Sequence, residues 1–84
     1  MENINSLEEL YNKLLPVLTT KVNELKLRKI DYISEIDIWN YQTKKWSKST
    51  NLMFSDMVSD ILNTNNKLYE DYVKNKWKEQ TEKL

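Results

Sequence analysis

The 84-residue sequence contains no glycine, no cysteine, no histidine and no alanine, and only one proline. Each absence excludes something. Without glycine there is neither a phosphate-cradling loop nor a dinucleotide-binding turn, because both need backbone that approaches phosphate closely. Without cysteine or histidine the usual zinc ligands are missing, as are a thiol nucleophile and an imidazole base that titrates near neutral pH. Disulfides cannot contribute, so nothing calls for an oxidising compartment. No apolar run approaches the length of a membrane-spanning helix. The first residues also lack the charged-then-apolar pattern of a secretion signal. The expectation is a cytoplasmic protein without membrane insertion, metal, cofactor or catalytic role.

What is present is lysine, asparagine, isoleucine and tyrosine in quantity, the signature of AT-rich codons and a low-GC bacterial origin. Lysine plus arginine equals aspartate plus glutamate at thirteen each. Zero net charge argues against strong non-specific nucleic-acid binding, which depends on neutralised phosphates, but leaves room for a local basic patch. A chain this short makes one domain, 1–84, and buries only about 60–65% of its unfolded surface. Homodimerisation is a natural way to supplement so small a core.

Four helices are expected, at about 6–29, 34–44, 51–62 and 65–80. Ser6 with Glu9 forms a capping box, and Leu7, Leu10, Tyr11, Leu14, Leu18, Val22 and Leu25 recur at steps of three and four. The stripe keeps its phase across Pro16, so the first helix is read as long and kinked there; the alternative is a break with a new helix starting at the proline. In the connector that follows, Asp31 is the residue best suited to a left-handed angle. Ser34 caps the second helix with Asp37 at its third position, and Ile33 and Ile38 have hydrophobic-staple spacing. Ser49, Thr50 and Asn51 are adequate caps for the third helix, which carries Met53, Met57, Val58, Ile61 and Leu62. The run 63–66 ends it, asparagine standing in for glycine. The last helix carries Leu68, Tyr69, Tyr72, Val73 and Trp77 in one stripe.

Lys44, Lys45, Trp46 and Lys48, in a link at 44–51, are the candidate contact residues, with Trp39 beside them. An aromatic ring among lysines is what single-stranded nucleic-acid binding uses; the plainer reading is a buried Trp46 with solvated lysines. The two middle helices also invite a helix-turn-helix reading, with 52–62 as the DNA reader. A link of seven or eight residues is too long for that motif, and Asp56 and Asp60 would repel phosphate. Asp56 and Asp60, with Glu70 and Asp71, read as a solvated polar face in preference to a cation site or an acid–base pair.

Several segments, in order, resemble the ComN-like post-transcriptional regulators, a family of small Firmicutes proteins. Leu14-Leu15-Pro16-Val17-Leu18, followed by Lys21 and Glu24-Leu25, looks like that family's Pro-Val-Leu first helix. Ile33-Ser34 and Asp37-Ile38-Trp39 look like its Val-Thr-x-x-Asp-Leu-Trp start of the second. Lys44-Lys45-Trp46 is similar to its Lys-Lys-Trp link, and Met57-Val58-Ser59-Asp60-Ile61-Leu62 to its Leu-Val-x-Asp-Ile-Leu helix. Tyr72 falls where a tyrosine recurs afterwards. Where the family has Gly-Tyr before the second helix this chain has Lys29-Ile30, so that turn has to be made differently. The resemblance implies a non-enzymatic regulator of messenger RNA level or translation, associated with competence genes. It implies a protein partner, such as a coiled-coil scaffold at the cell pole or division site.

The reading as a whole is an all-α bundle of four helices, its first helix lying across the other three. It is an adaptor that acts post-transcriptionally by binding protein, RNA or both, and a DNA-binding transcription regulator is the rival.

Overall fold

The computed structural model describes residues 7–49 and 51–82, which form four helices: α1 (Leu7–Leu27), α2 (Glu35–Trp46), α3 (Phe54–Asn63) and α4 (Asn66–Glu82). No strand occurs among the described residues, and the fold is all-α. Ser6, the expected cap of α1, lies outside them.

The stripe on α1 buries Leu14, Leu18, Val22 and Leu25. The helix is unbroken through Pro16, which excludes a new helix starting there; the expected kink is not confirmed. α1 ends in a Schellman turn. The Ile30 N–H donates to the Leu25 carbonyl and the Lys29 N–H to that of Lys26, both at 2.9 Å. That turn needs a left-handed residue, and Lys29 supplies it with φ 67°. The position expected to do this was Asp31. The chain stops α1 two residues sooner because Ile30 can then pack against the core.

α2 opens as expected. The Asp37 carboxylate accepts from the Ser34 N–H at 2.9 Å and from its hydroxyl at 3.1 Å. The helix runs on to Trp46, past the expected end near Lys44, because Trp46 continues the buried stripe of Ile38, Trp39 and Gln42. Lys44, Lys45 and Trp46 are therefore helical and not part of a link.

α3 begins later than expected, at Phe54. The caps offered by Ser49 and Asn51 are not used, and Thr50 lies outside the described residues. Asn51 instead turns the chain with φ 62°, and the Asp56 carboxylate accepts from the Met53 N–H at 3.1 Å. On α3 itself Ile61 is the residue fully buried, Met57 and Val58 are half-buried, and Met53 and Leu62 are exposed. The α3–α4 turn uses no left-handed asparagine. Thr64 is extended and buried there, and Asn65 caps α4 through its side-chain oxygen, 2.9 Å from the Lys67 N–H.

α1 packs on α2 and α3, while α4 packs chiefly on α2. Lys21 is the unexpected member of the interior, with a side chain only 3% exposed. Its ammonium donates to the Leu62 carbonyl at 3.2 Å and lies 3.4 Å from the Glu24 carboxylate. α3 has no basic residue in its own last turn, so α1 supplies the cation that its negative end favours.

Candidate functional site

The five residues singled out in the sequence divide into two sets. Trp39 and Trp46 are each 8% exposed. Their rings meet edge-to-face at 6.5 Å, and Trp39 meets Tyr11 the same way at 5.3 Å. The Trp46 indole N–H donates to the Asp60 carboxylate at 2.8 Å. Both indoles are largely buried, and Trp46 also forms part of the wall of a small apolar cleft.

Lys44, Lys45 and Lys48 are exposed. Together with Tyr41 of α2 and Tyr72 of α4 they line a groove of about 300 Å³. Positions 41, 44, 45 and 48 fall on one helical face, so extending α2 through Trp46 aligns the lysines with Tyr41. An adjoining groove of about 350 Å³ is lined by Lys44, Tyr72, Asn75 and Lys76. The two share Lys44 and Tyr72 and form one surface: two tyrosines and an asparagine among four lysines, with no carboxylate among the described lining residues. Each part is at or near the lower limit of small-ligand sites, about 300–1,000 Å³, which suits an elongated ligand better than an enclosed metabolite.

Tyr41 is fixed from below, edge-to-face with buried Tyr69 at 5.3 Å and with Tyr72 at 5.6 Å. Lys45 Nζ lies 5.6 Å from the Tyr41 ring centre, and Lys76 Nζ lies 5.5 Å from that of Tyr72. A cation over an exposed ring is worth about 0.5–1 kcal/mol. A stacked base is worth about 1–3 kcal/mol, more than either of these contacts.

The lysines are unequally committed. Lys45 holds the Asp60 carboxylate at 3.2 Å. Lys44, Lys48 and Lys76 have no carboxylate partner among the described residues, whereas Lys67 pairs with Asp71 at 3.5 Å and Lys74 with Glu70 at 3.9 Å. Lys44 and Lys45 sit in the last turn of α2, where the macrodipole alone accounts for them. Lys76 lies inside α4, and no such account covers it.

Sequence reasoning missed Tyr41, Tyr72, Asn75 and Lys76 as site residues. The spacing of Tyr41 with the three lysines was a readable signal; the approach of α4 was not. Two other surface features differ in kind. A larger cleft, about 570 Å³ between α1 and the α3–α4 turn, mixes Lys21, Arg28 and Lys67 with Glu24 and Glu70, and most of its charges are paired within the fold. A smaller cleft of about 270 Å³ is apolar, formed by Leu7, Leu10, Trp46 and Met57 with Thr43 and Ser47. Among the described residues no cluster of three potential metal ligands occurs, and no helix is long and apolar enough to cross a membrane.

The chain is similar to the post-transcriptional regulator ComN of Bacillus subtilis (strain 168), with 40% identity over 48 residues, 56% of this chain. The matched stretch is 49% of that relative, so the chain spans about half the length of the curated protein it matches. No solved structure matches. The family model described as "post-transcriptional regulator" matches residues 7–84, almost the whole sequence, and the chain belongs to that family.

Proposed function

We propose that this chain is a non-enzymatic, cytoplasmic adaptor that acts after transcription, on the level or translation of messenger RNA, by binding RNA, a protein or both. The observation that carries the reading is the tyrosine-floored groove rimmed by Lys44, Lys45, Lys48 and Lys76. Cations converging from two helices, of which Lys45 is paired with Asp60 and Lys44, Lys48 and Lys76 have no carboxylate partner among the described residues, favour a polyanion. Family membership supplies the regulatory level, and the name of the ComN relative makes competence-type transcripts the first to examine.

The test compares transcript abundance and promoter-reporter activity in the source cell, with and without the gene. Loss of the protein should change transcript or product levels and leave promoter activity unaltered. Lys44→Glu with Lys48→Glu should reproduce that loss. A parallel change in promoter activity would return the reading to transcription.

A protein partner is favoured by a separate observation. The apolar cleft at Leu7, Leu10 and Met57 is open to solvent, and Met53 and Phe54 stand exposed at the start of α3. A coiled-coil scaffold of the kind the family resemblance implies would use such a face, as would a second copy of this chain. The rival DNA-binding reading has less support. α3 offers a groove Asp56 and Asp60, which repel phosphate, and both carboxylates are already engaged, at Met53 and at Trp46 with Lys45. Positive charge is therefore better introduced at Ser55 and Ser59. If α3 enters a DNA groove, Ser55→Lys with Ser59→Lys should strengthen binding, and an unchanged affinity would count against it.

A further inference from the structure

We infer that the Tyr41–Tyr72 groove is a binding site for single-stranded RNA, in which Tyr72 stacks a base and Lys44, Lys48 and Lys76 hold the flanking phosphates. The inference rests on the proposed reading of this groove as the contact surface and specifies its ligand.

Three observations select a single strand. The rings lie in the floor of the groove with the cations around them, so a ligand must present a flat apolar face inward and charge outward. A duplex cannot do this, because its bases are stacked against one another inside the helix. The Tyr72 ring holds the Lys76 ammonium 5.5 Å from its centre and meets Tyr41 edge-to-face at 5.6 Å; a base that takes the place of the lysine leaves that charge to meet phosphate. Finally, Lys76 breaks the pairing pattern of its own helix. Lys67 and Lys74 each pair with an acid four residues away, whereas the residue four before Lys76 is Tyr72. Among the described side chains, the groove face of α4 thus carries Tyr72, Asn75 and Lys76, while the pairs Lys67–Asp71 and Lys74–Glu70 lie on the opposite face. Asn75, exposed between these residues in sequence, has an amide that can both donate to and accept from a base edge. The absence of any arginine fork at the site fits stacking and charge, with little sequence preference.

The test is fluorescence anisotropy with a short labelled oligouridine, and with the same strand annealed to oligoadenosine, at low and physiological salt. The single strand should bind more tightly than the duplex, and its affinity should fall as salt rises. Tyr72→Leu should weaken it about tenfold, while Tyr72→Phe, which keeps the ring, should bind like the parent. Lys76→Gln should weaken binding and flatten the salt dependence by about one phosphate contact. Thermal melts monitored by circular dichroism confirm that each variant is folded, and Lys76→Gln reads the site even if Tyr72→Leu does not fold.

Equal binding of strand and duplex would overturn the inference. So would unaltered affinity in Tyr72→Leu alongside loss in Lys44→Glu with Lys48→Glu; the groove would then be a phosphate-binding surface, and the broader reading would stand. Polyglutamate bound as tightly as RNA, with no dependence on Tyr72, would assign the groove to an acidic protein. No binding of either RNA at low salt would overturn both the inference and the RNA half of the proposed function.

Discussion

The Trp46 indole N–H and the Lys45 ammonium converge on the two oxygens of one carboxylate, that of Asp60, at 2.8 and 3.2 Å. The last turn of α2 is thereby fastened to the middle of α3 across the seven-residue link 47–53. Within Lys44-Lys45-Trp46, Trp46 is buried, Lys45 is exposed but paired with Asp60, and Lys44 has no carboxylate partner among the described residues.

Removing that carboxylate should loosen the α2–α3 contact. Asp60→Ala leaves the Trp46 N–H without its acceptor, a loss of about 1–3 kcal/mol. Asp60→Asn keeps an oxygen and should lose less. Urea unfolding followed by tryptophan fluorescence measures both, and a midpoint unchanged in Asp60→Ala would show that the pair contributes nothing net.

Lys29 holds a left-handed angle that disfavours a side chain by about 1–2 kcal/mol. Glycine relieves that strain and restores some unfolded-state freedom, so Lys29→Gly should stabilise the protein by about 0.5–1 kcal/mol. The melting temperature should rise by roughly 2–6 °C. A fall would mean that α1 does not end in this turn in solution.

Gln42 is fully buried, its amide donating to the Tyr69 hydroxyl at 2.8 Å and the Thr64 hydroxyl at 3.0 Å. Both hydroxyls have outlets of their own, to the Ile61 and Asp60 carbonyls. The Gln42 side-chain oxygen has no partner among the described residues. Gln42→Leu removes that orphan and keeps the volume, so it should fall within about 1 kcal/mol of the parent. Gln42→Ala, which leaves a cavity, should cost about 2–3 kcal/mol. Equal losses in the two variants would make the hydrogen bonds, and not the volume, the contribution that matters.

Alkali should destabilise the fold through two tyrosines. Burial holds the Tyr69 phenol above its ordinary 10.0. Desolvation, and then the hydrogen bond to Glu70 at 2.9 Å, raises Tyr32. A folded-state value above the unfolded one means that the native state keeps its proton longer. The stability involved is fully present below about pH 10 and is lost as pH rises through the folded values. The urea midpoint should fall as pH is raised above about 10, and less steeply in Tyr69→Phe. A flat profile in the parent protein would contradict it.

The parts of the fold readable in the sequence are those decided within a few residues. The α1 stripe, the Ser34–Asp37 cap and the four helices follow from spacing and from the donors left free at a helix start. Where two local solutions were available, sequence ranked them wrongly. Asp31 and the caps Ser49 and Asn51 were sound choices by propensity, yet Lys29 and Asp56 were used, because packing of Ile30 and the phase of α3 outweigh about 1 kcal/mol of local preference. Trp77, read with the core stripe of α4, is 48% exposed and lies against Tyr32 at 5.2 Å.

By itself the sequence determined an all-helical chain and the cluster of lysines at 44–48, which it placed in a link. It also determined, through the motifs shared with the regulators, the family. The tertiary structure alone decided what those lysines surround. A helix fixes which of its residues share a face, but only the neighbour packed against it fixes which face is covered. α3 covers Trp46, and so the ring nearest the lysines in sequence is absent from their groove. α4 crosses α2 on the other side, and so Tyr72 and Lys76, some thirty residues away, complete it.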